Sequence, residues 1–375
     1  MKYCKFCLQP DTRPNAFFTD GVCPACLYSD LLKHVDWEER LEVLKNIFAN
    51  NPRKKNQFHD CIIGVSGGKD STRQALFLRD KLGVNPLLVC LSYPPDQVTD
   101  RGVNNLSNLI DLGFDVIVSA PAPITWRTLK MEGFYKFTNS FRSTEMALFA
   151  TVPQIAIKYG IKLILWGENP GLQVGDLKTL GRTGYDGNSL RHMNTLSSGH
   201  DWMIECGFRK SELIPYSYPL LEEFETHDLQ IVYLGWFLGD WSHLNNAAYS
   251  CGYGLEMRDY GSEKIGDLYG VTALDEDFTP INQLIKYYKF GFGRATDYVN
   301  EEIRIGNISR ERGVEIVKTY DGSFDDGYIE RYAKYLSITT EKFWEEVRKS
   351  VNKELFQILP DGTVARKFTV GVGLE

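Results

Sequence analysis

The chain has no run of about 18 or more apolar residues, so it encodes no helix able to span a bilayer. Its start, Met1-Lys2-Tyr3-Cys4, lacks the apolar core of a secretory signal peptide. A cytoplasmic location is expected. Basic residues are not in surplus. Lys+Arg number 42 against 49 Asp+Glu, a net charge of −7, which argues against a nucleic-acid substrate. No internal repeat or low-complexity segment appears. With 24% charged and 43% hydrophobic residues, wholesale disorder is excluded and a sizeable core is available. A length of 375 residues suits two or three domains.

Four of the 8 cysteines form the pairs Cys4-x-x-Cys7 and Cys23-x-x-Cys26, separated by fifteen residues. In a cytosolic chain this spacing reads as a tetrahedral zinc site rather than two disulfides, with an iron–sulfur cluster or a redox pair as alternatives. A closed four-thiolate site leaves the metal no open position. Its role would be to fold about 30 residues too few to bury a core of their own. Cys61 and Cys90 lie in apolar runs, and core packing is expected for them and for Cys206 and Cys251.

The most informative string is Ser66-Gly67-Gly68-Lys69-Asp70-Ser71. It follows the apolar run Cys61–Val65 and precedes an amphipathic stretch, 71–82, ending at Gly83. Strand, glycine turn and helix start together make a phosphate cradle: free amides and the helix dipole face an anion, and Lys69 adds charge. The spacing is wrong for the P-loop of kinases and GTPases, because Asp70 separates Lys69 from Ser71. It resembles instead the PP-loop of ATP pyrophosphatases, which cleave ATP between the α and β phosphates.

Around this string, apolar strands at 61–65, 86–91, 114–118 and 161–166 alternate with helices, the pattern of a parallel sheet covered on both faces. Asp36 reads as the N-cap of a helix carrying Trp37, Leu41, Leu44 and Phe48, with Glu39 completing a capping box. The fourth strand ends in Trp166-Gly167-Glu168-Asn169, delivering a carboxylate to the carboxyl edge where ligands bind. Glu168 and Asp70 are the candidate Mg²⁺ ligands, and with Lys69 the candidate catalytic residues. The polar stretch 171–199 reads as a substrate-covering loop in which Arg182, Arg191, His192 and His200 together recognise an anion. The aromatic stretch 231–260, with Tyr233, Trp236, Phe237, Trp241, Tyr249, Tyr253 and Tyr260, reads as core, or alternatively as a wall for a sugar or nucleobase. Residues 281–322 and 329–359 read as helical.

At the level of the whole chain the sequence resembles the N-acetyl sugar amidotransferases of surface-polysaccharide and flagellin-sugar biosynthesis. The resemblance rests on the cysteine pairs, the 66–71 string, Trp166–Asn169, and a C-terminal signature. That signature runs Tyr287-Tyr288-Lys289-Phe290-Gly291-Phe292-Gly293-Arg294-Ala295-Thr296-Asp297, then Glu302-Ile303-Arg304, Gly306, Arg310-Glu311 and Tyr320-Asp321-Gly322. It implies an α/β fold with a doubly wound parallel sheet of the PP-loop (adenine nucleotide alpha hydrolase-like) type. The implied parts are a zinc ribbon at 1–30, a helix and linker at 31–58, the PP-loop domain at 59–255, and a mainly helical region at 256–375. ATP would be bound by Ser66, Gly67, Gly68, Lys69, Asp70, Ser71, Asn169 and Arg294, with Mg²⁺, and structural Zn²⁺ on Cys4, Cys7, Cys23 and Cys26.

The implied reaction turns an acetamido group of a nucleotide-linked or glycosyl sugar into an acetamidino group, through an adenylated imidate, in O-antigen or related glycan synthesis. Lys2 stands where an N-terminal-nucleophile glutaminase needs cysteine. Ammonia would therefore come from a separate glutaminase subunit with a cyclase-like barrel companion. The ribbon or the C-terminal helices would be the docking surface. Two other readings compete: a tRNA thiolation enzyme, which needs a cysteine beside the nucleotide and a basic face, and a nucleotide-binding scaffold.

Overall fold

The computed structural model describes residues 1–173, 175, 183–259 and 261–374, with Gln173 described by its backbone alone. Arg182 and Tyr260 lie outside the described residues.

Five strands form one sheet in the order β3-β2-β1-β4-β5: β1 Cys61–Val65, β2 Pro86–Leu91, β3 Val116–Ser119, β4 Leu163–Trp166 and β5 Gln230–Tyr233. All neighbours are parallel, with Ile63 opposite Leu88 on one side and Leu165 on the other. Alternate residues of the apolar runs feed two different cores. Ile63, Leu88 and Leu165 pack with Ala75 and Leu78 of the helix Lys69–Leu82 and with Leu44 and Ile47 of the helix Trp37–Asn50. Ile62, Val89 and Ile164 pack on the opposite face, against Val152 and Ala156 of the helix Arg142–Tyr159. Two covered faces explain why these strands carry almost no polar residue. The expected strands at 114–118 and 161–166 begin two residues later than read, and β5 overlaps the start of the 231–260 aromatic stretch, where no strand was expected.

The strand order fixes where a ligand binds. From β1 the chain moves outward through β2 to β3, then returns to the other side of β1 for β4 and β5. The direction reverses between β1 and β4, so the crevice lies at their carboxyl ends. The turn at 66–68 follows β1, and Gly167-Glu168 follows β4.

Helices dominate the C-terminal region: Thr279–Phe290, Arg294–Arg304, Arg310–Tyr320, Asp326–Leu336 and Thr340–Lys349, followed by the hairpin β6 Phe356–Ile358 and β7 Val364–Arg366. They do not form a separate core. Ile281, Ile285, Tyr332 and Phe343 share one apolar cluster with Leu91, Tyr93, Trp126, Phe134 and Met146 of the sheet domain. This shared core brings the C-terminal region to the edge of the crevice. At the other end, the cysteine-bearing segment docks on Arg294–Arg304, where Leu8 N donates to Asn300 Oδ1 at 2.7 Å, and its helix Pro24–Leu32 packs against the short helix Pro170–Gln173. Arg13 pairs with Asp297 of the same helix. No described helix is long and apolar enough to cross a membrane.

Candidate active site

The glycine turn has the shape its sequence requires. Gly67 adopts φ +76°, and a Cβ there would lie 3.0 Å from Asn105 atoms of the neighbouring helix. Both conditions favour glycine. Gly68 is the N-cap of the following helix, and its amide faces Ser66 Oγ at 3.4 Å. Ser71 Oγ donates to Gly68 O at 3.1 Å, closing the turn.

The turn opens on a cavity of about 400 Å³ between sheet and C-terminal region. Lys69 is buried, and its ammonium donates to Asp70 Oδ2 at 2.6 Å. Asn246 Nδ2 donates to the other oxygen of Asp70, also at 2.6 Å. Burial alone would raise the Asp70 carboxyl, but the charges of Lys69 and His243 and these hydrogen bonds outweigh it and hold it below the usual range. Glu168 behaves oppositely. The residue is open to the cavity, yet desolvation by the crevice walls, and then the nearby Asp70 charge, push its carboxyl up to about 7. Two carboxyls at one edge are thus held on opposite sides of their ordinary titration range, a pattern typical of acid–base and metal-binding sites.

The far wall comes from the segment 271–275, Thr279 and Arg294. This wall stands close because Gly102 lacks a side chain: a Cβ there would lie 2.4 Å from Asp275 Cα. Thr99 fixes the approach, donating N–H to Asp275 O at 3.0 Å and Oγ–H to Leu274 O at 2.8 Å. Asp275 itself lines the cavity, its carboxyl pushed up to about 7 by burial and by Glu276. Arg294 is held by Thr272 Oγ1 at 3.0 Å. His243 completes this side. Burial, then Lys69 and Arg294, hold its imidazole well below the ordinary value.

Most of the residues singled out from the sequence converge here. Ser66, Gly68, Lys69, Asp70, Ser71, Glu168 and Arg294 all line the cavity. Gly67 lies behind its wall. Asn169 is buried with its amide engaged, donating to Gly235 O and accepting from Leu172 N, both at 3.2 Å, so it braces the turn that carries Glu168. Of the anion patch expected beyond residue 171, the structure brings nothing described to the cavity. Arg191 lies over the rings of Phe224 and Tyr218, and His192 is exposed. Of the aromatic stretch, Tyr233, Phe237 and Trp241 are buried in the core, Trp236 and Tyr249 are half-buried against it, and Tyr253 is exposed. The aromatic wall of the cavity is built instead by Tyr93, Phe141, Phe149 and Trp166. His243, Asp275 and Glu301 were not singled out from the sequence. A serine N-cap followed directly by a basic residue, Ser242-His243, is the one local signal that pointed to the first of them.

The four N-terminal cysteines form the one group of at least three His, Cys, Asp or Glu ligand atoms among the described residues, all within 4.8 Å of one another. Cys7 and Cys23 Sγ are 3.6 Å apart, near the edge of a tetrahedron with Zn–S bonds of about 2.3 Å. Backbone amides of Phe6, Gln9 and Cys23 point at Cys4 or Cys7 sulfurs at 3.3 to 3.4 Å. Arg304 Nη2 approaches Cys7 and Cys23 sulfurs at 3.7 and 4.0 Å, opposing thiolate charge. The donor set fits a tetrahedral thiolate metal. For Mg²⁺ the fit is partial: both oxygens of Asp70 are engaged, whereas the Glu168 carboxyl faces the cavity.

Sheet order, strand-end crevice and glycine turn define a PP-loop-type α/β domain. Residues 262–359 match the domain family described as LPS biosynthesis protein WbpG-like, C-terminal domain. The match supports the family resemblance read from the 287–322 signature, and this same segment supplies Thr272, Asp275 and Arg294 to the cavity. Among solved structures, NMN synthetase from Francisella tularensis is 17% identical over 36% of this chain and 56% of that one, with a TM-score of 0.28. The chain thus spans little more than half the length of that enzyme. The U34-tRNA thiolase NcsA from Methanococcus maripaludis, with its 4Fe-4S cluster, is 10% identical over 60% of this chain and 70% of that one, with a TM-score of 0.22. No curated protein matches the chain.

Proposed function

We propose that the chain is an ATP-dependent N-acetyl sugar amidotransferase of lipopolysaccharide or related surface-glycan synthesis, forming AMP and pyrophosphate. One observation carries the reading: the glycine cradle and the WbpG-like segment are opposite walls of the same cavity. An adenylating loop facing a glycan-family domain suits the activation of a sugar group by ATP.

The acetamido oxygen attacks the α-phosphorus of ATP, and the bond to the β-phosphate oxygen breaks. Pyrophosphate leaves, and the sugar carries an O-adenylyl imidate. Ammonia adds to the imidate carbon. AMP then departs with the former amide oxygen, ammonia loses a proton, and the amidine remains. Loop amides and Lys69 neutralise the departing pyrophosphate, the term that dominates such transfers. Asp70 keeps Lys69 oriented. Ser66 and Ser71 are placed to bond phosphate oxygens, and Arg294 faces them across the cavity. Glu168, with phosphate oxygens, is the residue that would hold Mg²⁺; the ion supplies charge neutralisation on the phosphates. The thiolate cluster would hold Zn²⁺ as a structural metal, bracing the ribbon. The four sequence segments, 1–30, 31–58, 59–255 and 256–375, serve as ribbon, linker, adenylating domain and acceptor-side region.

Ammonia is mostly ammonium at neutral pH, so a separate glutaminase subunit with a cyclase-like barrel partner is the proposed source. Among the described residues no cysteine lines the cavity, which disfavours tRNA thiolation. The test is pyrophosphate release by the purified chain, expected to require an acetamido sugar and ammonia together. Release stimulated by tRNA and indifferent to sugars would overturn the reading.

A further inference from the structure

Three helices present their first residue to the cavity, and all three of those residues are basic: Lys69 of Lys69–Leu82, His243 of His243–Cys251 and Arg294 of Arg294–Arg304. A cation at a helix N-terminus opposes the helix dipole, so local stability does not account for Lys69 and Arg294 at these positions, and the uncharged imidazole of His243 gains nothing from the dipole. An anion held between the three accounts for the arrangement. The amides of the second and third helices are already engaged. His243 N donates to Glu301, and Gly293 N and Thr296 N donate to Asp321 at 2.7 and 3.2 Å. What these two helices offer the cavity is therefore their first side chain.

The two cationic heads have protein partners, Lys69 on Asp70 and Arg294 on Thr272. The imidazole of His243 is different. Its Nε2 faces Glu301 Oε2 at 3.6 Å, while Nδ1 is buried with no hydrogen-bond partner among the described residues. A buried, unsatisfied polar atom on a cavity wall calls for a ligand atom or water. The ring is anchored edge-on to Tyr298, with centroids 5.2 Å apart, and its helix is tied to the cradle by Ser250 Oγ donating to Lys69 O at 2.7 Å. The imidazole is thus fixed relative to the glycine turn.

We propose that His243 is a polyphosphate ligand, donating Nδ1–H to an oxygen of the pyrophosphate end of the nucleotide and completing an anion site with Lys69 and Arg294. This assignment rests on reading the cavity as a nucleotide site. The chemistry recognised is a diphosphate or triphosphate anion. The site makes no demand on the base.

Calorimetric titration of the full-length protein with inorganic pyrophosphate, ATP and AMP tests it. Asparagine can place an amide N–H near the position of Nδ1; alanine cannot. His243→Ala is expected to weaken pyrophosphate and ATP binding about tenfold or more, the loss typical of a hydrogen bond to a charged group, and to leave AMP binding within about twofold. His243→Asn is expected to recover most of the loss. Unchanged pyrophosphate affinity in a folded His243→Ala protein overturns the proposal. So does a loss confined to turnover at saturating ATP, which would place the imidazole on the acceptor side. If the wild-type protein binds neither pyrophosphate nor ATP, the nucleotide reading itself falls, an outcome distinct from equal binding by wild type and variant.

Discussion

Glu301 offers a quantitative check on the electrostatics of this site. It is buried on the helix that begins at Arg294, and its carboxyl accepts the backbone N–H of His243. Burial pushes its pKa from 4.5 up to about 7. The sign follows from proton binding: the folded state holds this proton more tightly than the unfolded state. The stability of the protonated form is fully present below the ordinary value and is lost as pH rises through about 7. The rise from 4.5 to about 7 corresponds to about 3 kcal/mol between the two protonation states. Glu301→Gln keeps the shape and the acceptor oxygen but never ionises. The variant should therefore gain on wild type by about 1 kcal/mol at pH 5 and about 3 kcal/mol at pH 8. Denaturant unfolding of both proteins at the two pH values measures the difference, and all other titrating groups cancel. A gap that is the same at both pH values, or that shrinks as pH rises, would refute the reasoning.

Two further outcomes follow from the geometry. Lys69→Ala should lower AMP and pyrophosphate formation by about a hundredfold or more with ammonia supplied, while circular dichroism stays native; wild-type turnover would remove Lys69 from its role. Cys4→Ser should lose the bound metal, expected as zinc at one per chain by elemental analysis, and lower the thermal midpoint. Because Arg304 spans from the cysteine sulfurs to Leu172 O, which it bonds at 3.0 Å just beyond the turn carrying Glu168, turnover should fall as well. An active, metal-free variant would uncouple the ribbon from the site.

The legible parts of the fold were those written in local patterns. Cys61–Val65 and Pro86–Leu91 are strands with the boundaries their apolar runs suggested, since strands covered on both faces carry continuous apolar residues. The glycine turn and the cysteine pairs were legible because few backbones or ligand sets tolerate those spacings. β5 was hidden because its four residues, Gln230–Tyr233, merge into flanking apolar and aromatic residues that form core. His243, Asp275 and Glu301 were hidden for a different reason. His243 and Asp275 reach the cavity, and Glu301 backs His243, through long-range packing: a helix laid on Lys69–Leu82, a loop pressed against Gly102, a C-terminal helix sharing the core of the sheet domain. No short window of sequence records those approaches. Of the expected cationic loop, Arg191 finds aromatic neighbours away from the cavity for the same reason, and Arg182 lies outside the described residues.

The central claim is that ATP activates the oxygen of a sugar acetamido group. The most direct measurement follows that oxygen. An acetamido sugar carrying a heavy-oxygen label in its carbonyl, incubated with the protein, ATP, Mg²⁺ and ammonia, should transfer the label to AMP and leave an amidine on the sugar. Label that stays in the sugar while AMP accumulates, or AMP formed at the same rate without any sugar, would contradict the account.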